Sequence, residues 1–394
     1  MMLMFCLVAG ISVLVAACGG GGSSSSSSSE PAETAESPEP AEGSEEPETA
    51  EGSEESEGGE GSAEVEEIIA EATGAAKWEG PTEPDPAAPK KKILFVMTVG
   101  GTTGQELVEE GARPAAKALG WEVSFFHGDG TPASYAEGIA QAITEHADGV
   151  VTSSITPTLV INQMKELKAA GIPAVAISNT AEPVDEAWLA NIGYNEEKEA
   201  EYLAAGIAQE SGGDANIMMI NDKEFGVVVN RFEAFKKILP EVCPECQVST
   251  ESEMQVTELE TKIGPKVGSL LQANPDVNYI YAPFDDAAIP MIAAVKQANL
   301  QDDVKIVSYG GYDQSTDAIR KGEVQTMTIA NAVPWQSWEA LDVLNRHFTN
   351  KEIPQNALNT DPVKLLNKES IPPEGQYFTG EEAEYEKHYE ELWK

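Results

Sequence analysis

Cys243-Pro244-Glu245-Cys246 sets two thiols at a spacing that serves three chemistries: a dithiol redox pair, half of a zinc site, or a small disulfide. Zinc needs a second pair of ligands, and the other two of the four cysteines, Cys6 and Cys18, stand far away near the N-terminus. Gly100-Gly101-Thr102-Thr103-Gly104 could turn backbone N–H groups toward an anion. It lacks the lysine of a P-loop and the G-x-G-x-x-G spacing of a dinucleotide loop, so it reads as a plain binding loop. His127, His146, His347 and His388 are scattered, and no H-E-x-x-H or G-x-S-x-G stretch occurs. With no nucleophile, acid/base pair or ligand set in view, the sequence predicts a protein that is not an enzyme and takes no metal and no cofactor.

Cys18 closes an apolar run over residues 3–17 that is too short to span a bilayer, and a Gly/Ser tract follows it. Such a tract buries too little apolar surface to offset the entropy of ordering it, so the cysteine reads as an attachment point. Leu14-Val15-Ala16-Ala17-Cys18 resembles the lipobox of bacterial lipoproteins. The resemblance implies a signal peptide over 1–18, lipid on Cys18, and a place at the outer face of the cytoplasmic membrane. Cys6 then leaves with the signal and Cys18 carries lipid. Cys243 and Cys246 remain alone together outside the cytoplasm, where a disulfide is expected.

Residues 19–90 read as a disordered acidic tether of Gly, Ser, Glu and Pro. Between Glu30 and Asp85, twenty acidic residues face only Lys77, so 19 of the 42 net negative charges lie here and 23 remain for the rest. That balance excludes nucleic acid, whose phosphates want Lys and Arg in excess. Ala63 to Ala72 has helical spacing but is short, and it reads as a solvated segment rather than a docking helix. The composition changes at Lys90-Lys91-Lys92, where the folded part is expected to start.

From there strand and helix patterns alternate. Ile93–Thr98, Trp121–Phe126, Gly149–Thr152 and Pro173–Ile177 are apolar runs suited to parallel strands covered on both faces, with helical stretches between them. A second series follows at Ala215–Ile220, Gln247–Ser252, Val277–Ala282, Val304–Ser308 and Val324–Ile329. Two such series predict an α/β chain of two doubly wound, Rossmann-like parallel-sheet lobes.

The stretches "KKKILFVMTVGGTTGQELVEEGARPAAKALGWEV", "ADGVVTSSITPTLVINQMKELKAAGIPAVAIS", "LLQANPDVNYIYAPFDDAAIPMIAAVKQANLQDDVKIVSYGG" and "AIRKGEVQTMTIANAVPWQSWEALDVL" resemble, in order and spacing, the type I periplasmic binding proteins of the ribose-binding kind. That resemblance implies two lobes joined by a three-segment hinge near Tyr194, Asn331 and residues 362–366. The first lobe would be 91–194 plus 332–361, and the second 195–331 plus 362–394. It also implies a monomer that catches a small solute by lobe closure and offers it to an ABC transporter permease. A ligand-sensing subunit docking on a membrane receptor or histidine kinase is the alternative.

In open α/β sheets the carboxyl ends of strands converge on a crevice, so loops at those ends are the candidates. They supply Gly101, Thr102, Thr103, Asp129, Ser153, Ser154, Ser178 and Asn179 from the first lobe, and Asn221, Phe284, Asp285, Tyr309, Asn331 and Trp335 from the second and its hinge. Carried over by the resemblance, the ribose-type Asp-Arg pair falls on Ser178 and Asn179. The second-lobe arginine falls on Val229, the cleft asparagine on Phe284, an aspartate on Gly310 and the hinge glutamine on Asn331. The charged set that grips a ribose is thus lost. Hydroxyls, amides and the rings of Phe284, Tyr309 and Trp335 predict a solute that is part polar and part apolar or planar. Arg231 reads as a surface or interlobe ion-pair residue.

Overall fold

The computed structural model describes residues 59–180, 186–355 and 358–394. The expected signal peptide, Cys18 and the first forty residues of the expected tether lie outside the described residues.

The described chain opens with α1 (Gly59–Ala72) and enters a first sheet through β1 (Lys92–Met97). There follow α2 (Thr103–Leu119), β2 (Glu122–His127), α3 (Pro132–Thr144), β3 (Gly149–Ser153), α4 (Pro157–Ala169), β4 (Ala174–Thr180) and β5 (Ala190–Tyr194). The strand order is β2-β1-β3-β4-β5, all parallel. β1 and β3 are almost wholly buried because both sheet faces carry helices, and their near-continuous apolar sequences reflect that.

The second lobe runs α5 (Glu196–Ser211), β6 (Asn216–Asp222), α6 (Gly226–Val242), β7 (Gln247–Met254), α7 (Ile263–Ala273), β8 (Tyr279–Tyr281), α8 (Asp285–Gln297), β9 (Lys305–Gly310), α9 (Asp313–Lys321) and β10 (Gln325–Asn331). The chain returns to the first lobe as α10 (Val333–Thr349), comes back as β11 (Val363–Leu366), and ends in α11 (Tyr385–Leu392). The second sheet is ordered β11-β10-β9-β8-β6-β7, parallel except for β11 against β10. Gly111 lets α2 close on α10, since a Cβ there would lie 2.2 Å from the Pro334 carbonyl oxygen.

Two expected boundaries need correction. The tether does not run to residue 90, because α1 docks on the second lobe: Ala72 is fully buried, Ile68 and Ile69 pack on that lobe's core, and Glu71 pairs with Lys198 at 3.0 Å and accepts from the Tyr202 hydroxyl at 3.0 Å. The chain then crosses to the first lobe, where Trp78 stacks on Trp335 and His388, and buried Asp85 accepts from Asn345 Nδ2. The tail beyond β11 belongs with the first lobe. Tyr385, Tyr389 and Trp393 join Trp335 and Trp338 in its core, and Trp393 Nε1 donates to Asp342 at 2.8 Å. Local pattern cannot show either docking, because each surface is made hundreds of residues away.

The disulfide expected between Cys243 and Cys246 is closed, with Cα atoms 5.3 Å apart, and it links the end of α6 to β7. Unreduced protein is expected to show no alkylatable thiol at either position by mass spectrometry. Two free thiols there would overturn the pairing.

Candidate functional site

The carboxyl ends of both sheets face one another across the hinge, and the lobes touch there. A Cβ on Gly104 would lie 2.7 Å from the Tyr312 hydroxyl of the opposite lobe, and one on Gly226 would lie 3.3 Å from Thr156 Oγ1.

On the first-lobe wall Ser153 ends β3 fully buried. Its carbonyl accepts from Thr98 Oγ1 at 2.6 Å, while its own Oγ has no protein partner. Gln105, in the first turn of α2, donates from Nε2 to Ser154 Oγ at 3.3 Å and leaves buried Oε1 without a partner. Ser154 and Ser178 hold φ values of 57° and 56°. Left-handed backbone at non-glycine residues costs on the order of 1 kcal/mol and concentrates at binding sites. Ser178 Oγ donates to Gln336 Oε1 at 2.8 Å, and Asn179 Nδ2 donates back to the Ile177 carbonyl at 3.1 Å. Gly101, Thr102 and Asp129 lie on the exposed rim and Thr103 is half-buried just inside it. The Asp129 carboxylate accepts from Thr131 N and Oγ1, which tightens the turn and draws its pKa below the usual range.

On the second-lobe wall β6 ends in Asn221 and Asp222, both buried. Asn221 Oδ1 and Asp222 Oδ2 have no protein partner, while Asp222 Oδ1 accepts from Glu224 N at 2.9 Å. Burial, with the Glu224 charge adding, pushes the Asp222 carboxyl up to about 6. Asp285 is not free for a solute: Oδ1 accepts from Ser308 and Thr328, and Oδ2 from Tyr312 N at 2.8 Å. Phe284 is half-buried at the start of α8 and packs on the second lobe's core.

Two of the three expected rings are not cleft surface. Tyr309 is buried between Tyr281 and the Arg231 guanidinium, which lies 4.9 Å from its ring. Trp335 is fully buried, 4.7 Å from the ring of Tyr385. Arg231 is the ion-pair residue expected, buried rather than at the surface and set where the lobes meet, against Tyr194 of β5. It is buried in a two-pronged pair with Glu199 at 2.6 and 2.7 Å, its guanidinium 4.5 Å from the Tyr194 ring. Glu199 Oε1 also accepts from Asn331 Nδ2 at 2.7 Å, which leaves buried Asn331 Oδ1 without a partner.

Beside these groups the hinge carries carboxyls that sequence reasoning missed. Asp361 accepts from Gln336 Nε2 at 2.8 Å, and Glu339 accepts from Asn359 N at 2.7 Å and from Thr360. Burial raises Asp361 to about 7 and Glu339 to about 8. Their helical and loop positions carry no local signal, because the partners come from another crossing.

Five buried polar atoms without a protein partner thus sit on residues at or near the strand ends: Gln105 Oε1, Ser153 Oγ, Asn221 Oδ1, Asp222 Oδ2 and Asn331 Oδ1. Each costs about 1–3 kcal/mol if nothing meets it. A cavity of about 480 Å³ lined by Glu210, Lys305, Gln325 and Asn367 opens at the opposite, amino ends of β9 and β10, and none of the expected site residues line it. Among the described residues no group of three or more His, Cys, Asp or Glu side chains could hold a metal ion.

A family model described as a periplasmic binding protein domain matches residues 93–352. The chain is 23% identical over 271 residues to a D-apiose import binding protein of Actinobacillus succinogenes, covering 66% of this chain and 86% of that protein. Among solved structures it is similar to a glucose-galactose binding protein from Geobacillus stearothermophilus, with a TM-score of 0.65 and 19% identity over 72% of this chain and 100% of that one. It is also similar to the periplasmic binding component of the arabinose ABC transporter from Shewanella sp. ANA-3, with a TM-score of 0.63 and 17% identity over 75% and 95% of the two chains.

Proposed function

The chain belongs to the periplasmic binding protein family, and from that membership we propose that it is the extracytoplasmic solute-binding protein of an ABC importer. One observation carries the reading. Two sheets aim the carboxyl ends of their parallel strands at each other across the hinge, and five buried polar atoms at or near those ends have no protein partner. A polar solute would supply those partners, and it would do so best with the lobes shut, so a permease can distinguish loaded protein from empty. The D-apiose import protein and the arabinose transporter component bring sugar-like solutes to this cleft by analogy. The burial of Tyr309 and Trp335 argues against the aromatic component of the expected ligand. The lipid anchor rests on Leu14-Val15-Ala16-Ala17-Cys18, with the acidic residues after it as a tether that holds the captor near its permease.

The test combines two measurements. The full chain is screened by thermal shift and small-angle scattering against sugars, sugar acids, polyols, nucleosides and small aromatics, and the gene is deleted with solute uptake and signalling output followed in parallel. One solute class is expected to raise the melting temperature and change the scattering curve, and its uptake should fall on deletion. Curves unchanged by every solute would sink the binding role. Intact uptake with lost signalling would replace the permease by a receptor.

A further inference from the structure

The segment ahead of β1 is held at two places that are close in sequence but belong to different lobes. Ala72, the last residue of α1, is fully buried in the second lobe's core, and Ile68 and Ile69 pack beside it. Glu71 fixes the same end on α5 through Lys198 and Tyr202. Only four residues later Ala76 packs on the first lobe's core, and its N–H donates to Glu382. Trp78 follows, its ring 5.6 Å from that of Trp335 and 4.7 Å from that of His388, with Tyr389 edge-on at 5.0 Å. Beyond it Asp85 N donates to the Leu392 carbonyl at 2.8 Å and Ala87 N to the Trp393 carbonyl at 2.9 Å.

The link between the two holds is short. Four residues reach at most about 14 Å when fully extended. Thr73 and Gly74 use part of that reach by turning back onto α1, where they donate to the Ile69 and Glu71 carbonyls. A rotation of one lobe on the other must stay within the remaining slack or draw a packed apolar face into water. Trp335 lies in the first turn of α10, just after the chain leaves the second sheet, so the Trp78 hold sits at the hinge itself.

We propose that residues 68–87 form a strap that ties the lobes together beside the hinge and limits the range of interlobe angles in the empty protein. Unlike the chain crossings of the hinge, the strap can let go by unseating side chains. It is a property of the unliganded chain and goes beyond the solute-binding reading, so its test needs no solute.

The experiment reads interlobe distances in the unliganded full chain by double electron–electron resonance. Nitroxides are carried on keto amino acids at exposed Lys165 of α4 and exposed Gln272 of α7, one in each lobe. The labelled chain is compared with Trp78→Ala and with a chain lengthened between Gly74 and Ala75, which are both exposed. An insertion of about twelve Gly/Ser residues there leaves every docked side chain in place and adds about 19 Å of root-mean-square reach. The unaltered chain is expected to give one narrow population of distances. Both variants are expected to add a second population displaced from it by more than about 2 Å. A broad distribution in the unaltered chain, or one that the insertion leaves unchanged, would overturn the strap. A change in Trp78→Ala alone would also overturn it, because the effect would then belong to the packing of one ring. A change with the insertion alone keeps the strap and passes its first-lobe hold from Trp78 to the other contacts. Melting curves check folding, and if Trp78→Ala fails to fold the insertion decides by itself, since its docked faces are untouched.

Discussion

Glu199→Ala is expected to lower the unfolding free energy by about 3–5 kcal/mol, the loss typical when one member of a buried ion pair is removed. Arg231 is the reason. It is buried, its fork is matched to both Glu199 oxygens, and two tyrosine rings close over its face. Without the carboxylate the guanidinium keeps its charge, because its pKa lies far above any working pH, and that charge stands in low dielectric with no counterpart. Asn331 Nδ2 loses its acceptor at the same moment, at the second hinge crossing. Urea titration of Glu199→Ala measures the loss. The double variant Glu199→Gln with Arg231→Met, which removes both charges, should recover most of it. A single-variant loss below about 1 kcal/mol would mean that the pair is worth no more than a surface contact.

A second large effect is expected with pH. Asp361 and Glu339 are raised to about 7 and about 8, so the folded protein holds both protons at pH 5.5, whereas unfolded Asp and Glu ionise near 4. The folded state therefore binds more protons through this window, and stability falls as pH rises from about 4.5 through the two folded values. Burial pushes Asp222, Asp285 and Asp342 the same way. The carboxyls held below their usual range, such as Asp129 and Glu122, are exposed and act weakly in the opposite sense. The melting temperature is expected to drop by roughly 5 °C or more between pH 5.5 and 8.5, and Glu339→Gln should flatten that slope. Scanning calorimetry showing a melting temperature that rises over this range would contradict the assignment.

The strand series could be read from sequence because buried parallel strands leave apolar runs. The nine expected strands all fall on β1–β4 and β6–β10 within a few residues. β5 and β11 escaped notice because ANIGY and VKLL, each only partly buried, leave no continuous apolar run. At the site, the loops were legible from topology, but the residues within them were less so. Asp285 and Asp222 look alike as letters. They differ because Ser308, Thr328 and the Tyr312 amide, all from a later part of the chain, claim the first and not the second. Trp335 stands at a crossing where either cleft or core is open to it, and Trp78 and Tyr385, far away in sequence on both sides, decide for core.

The same long-range closures set an order of assembly. The first lobe has the earliest strands, yet its interior is finished by Tyr385, Tyr389 and Trp393, and residues 85–87 hydrogen-bond to the backbone of Leu392 and Trp393. Those residues follow every strand of the second lobe in the sequence, so the lobe begun first can be sealed only after the second lobe's strands are made. A chain cut before Tyr385 would leave the later lobe's sheet complete and the earlier one open to proteases.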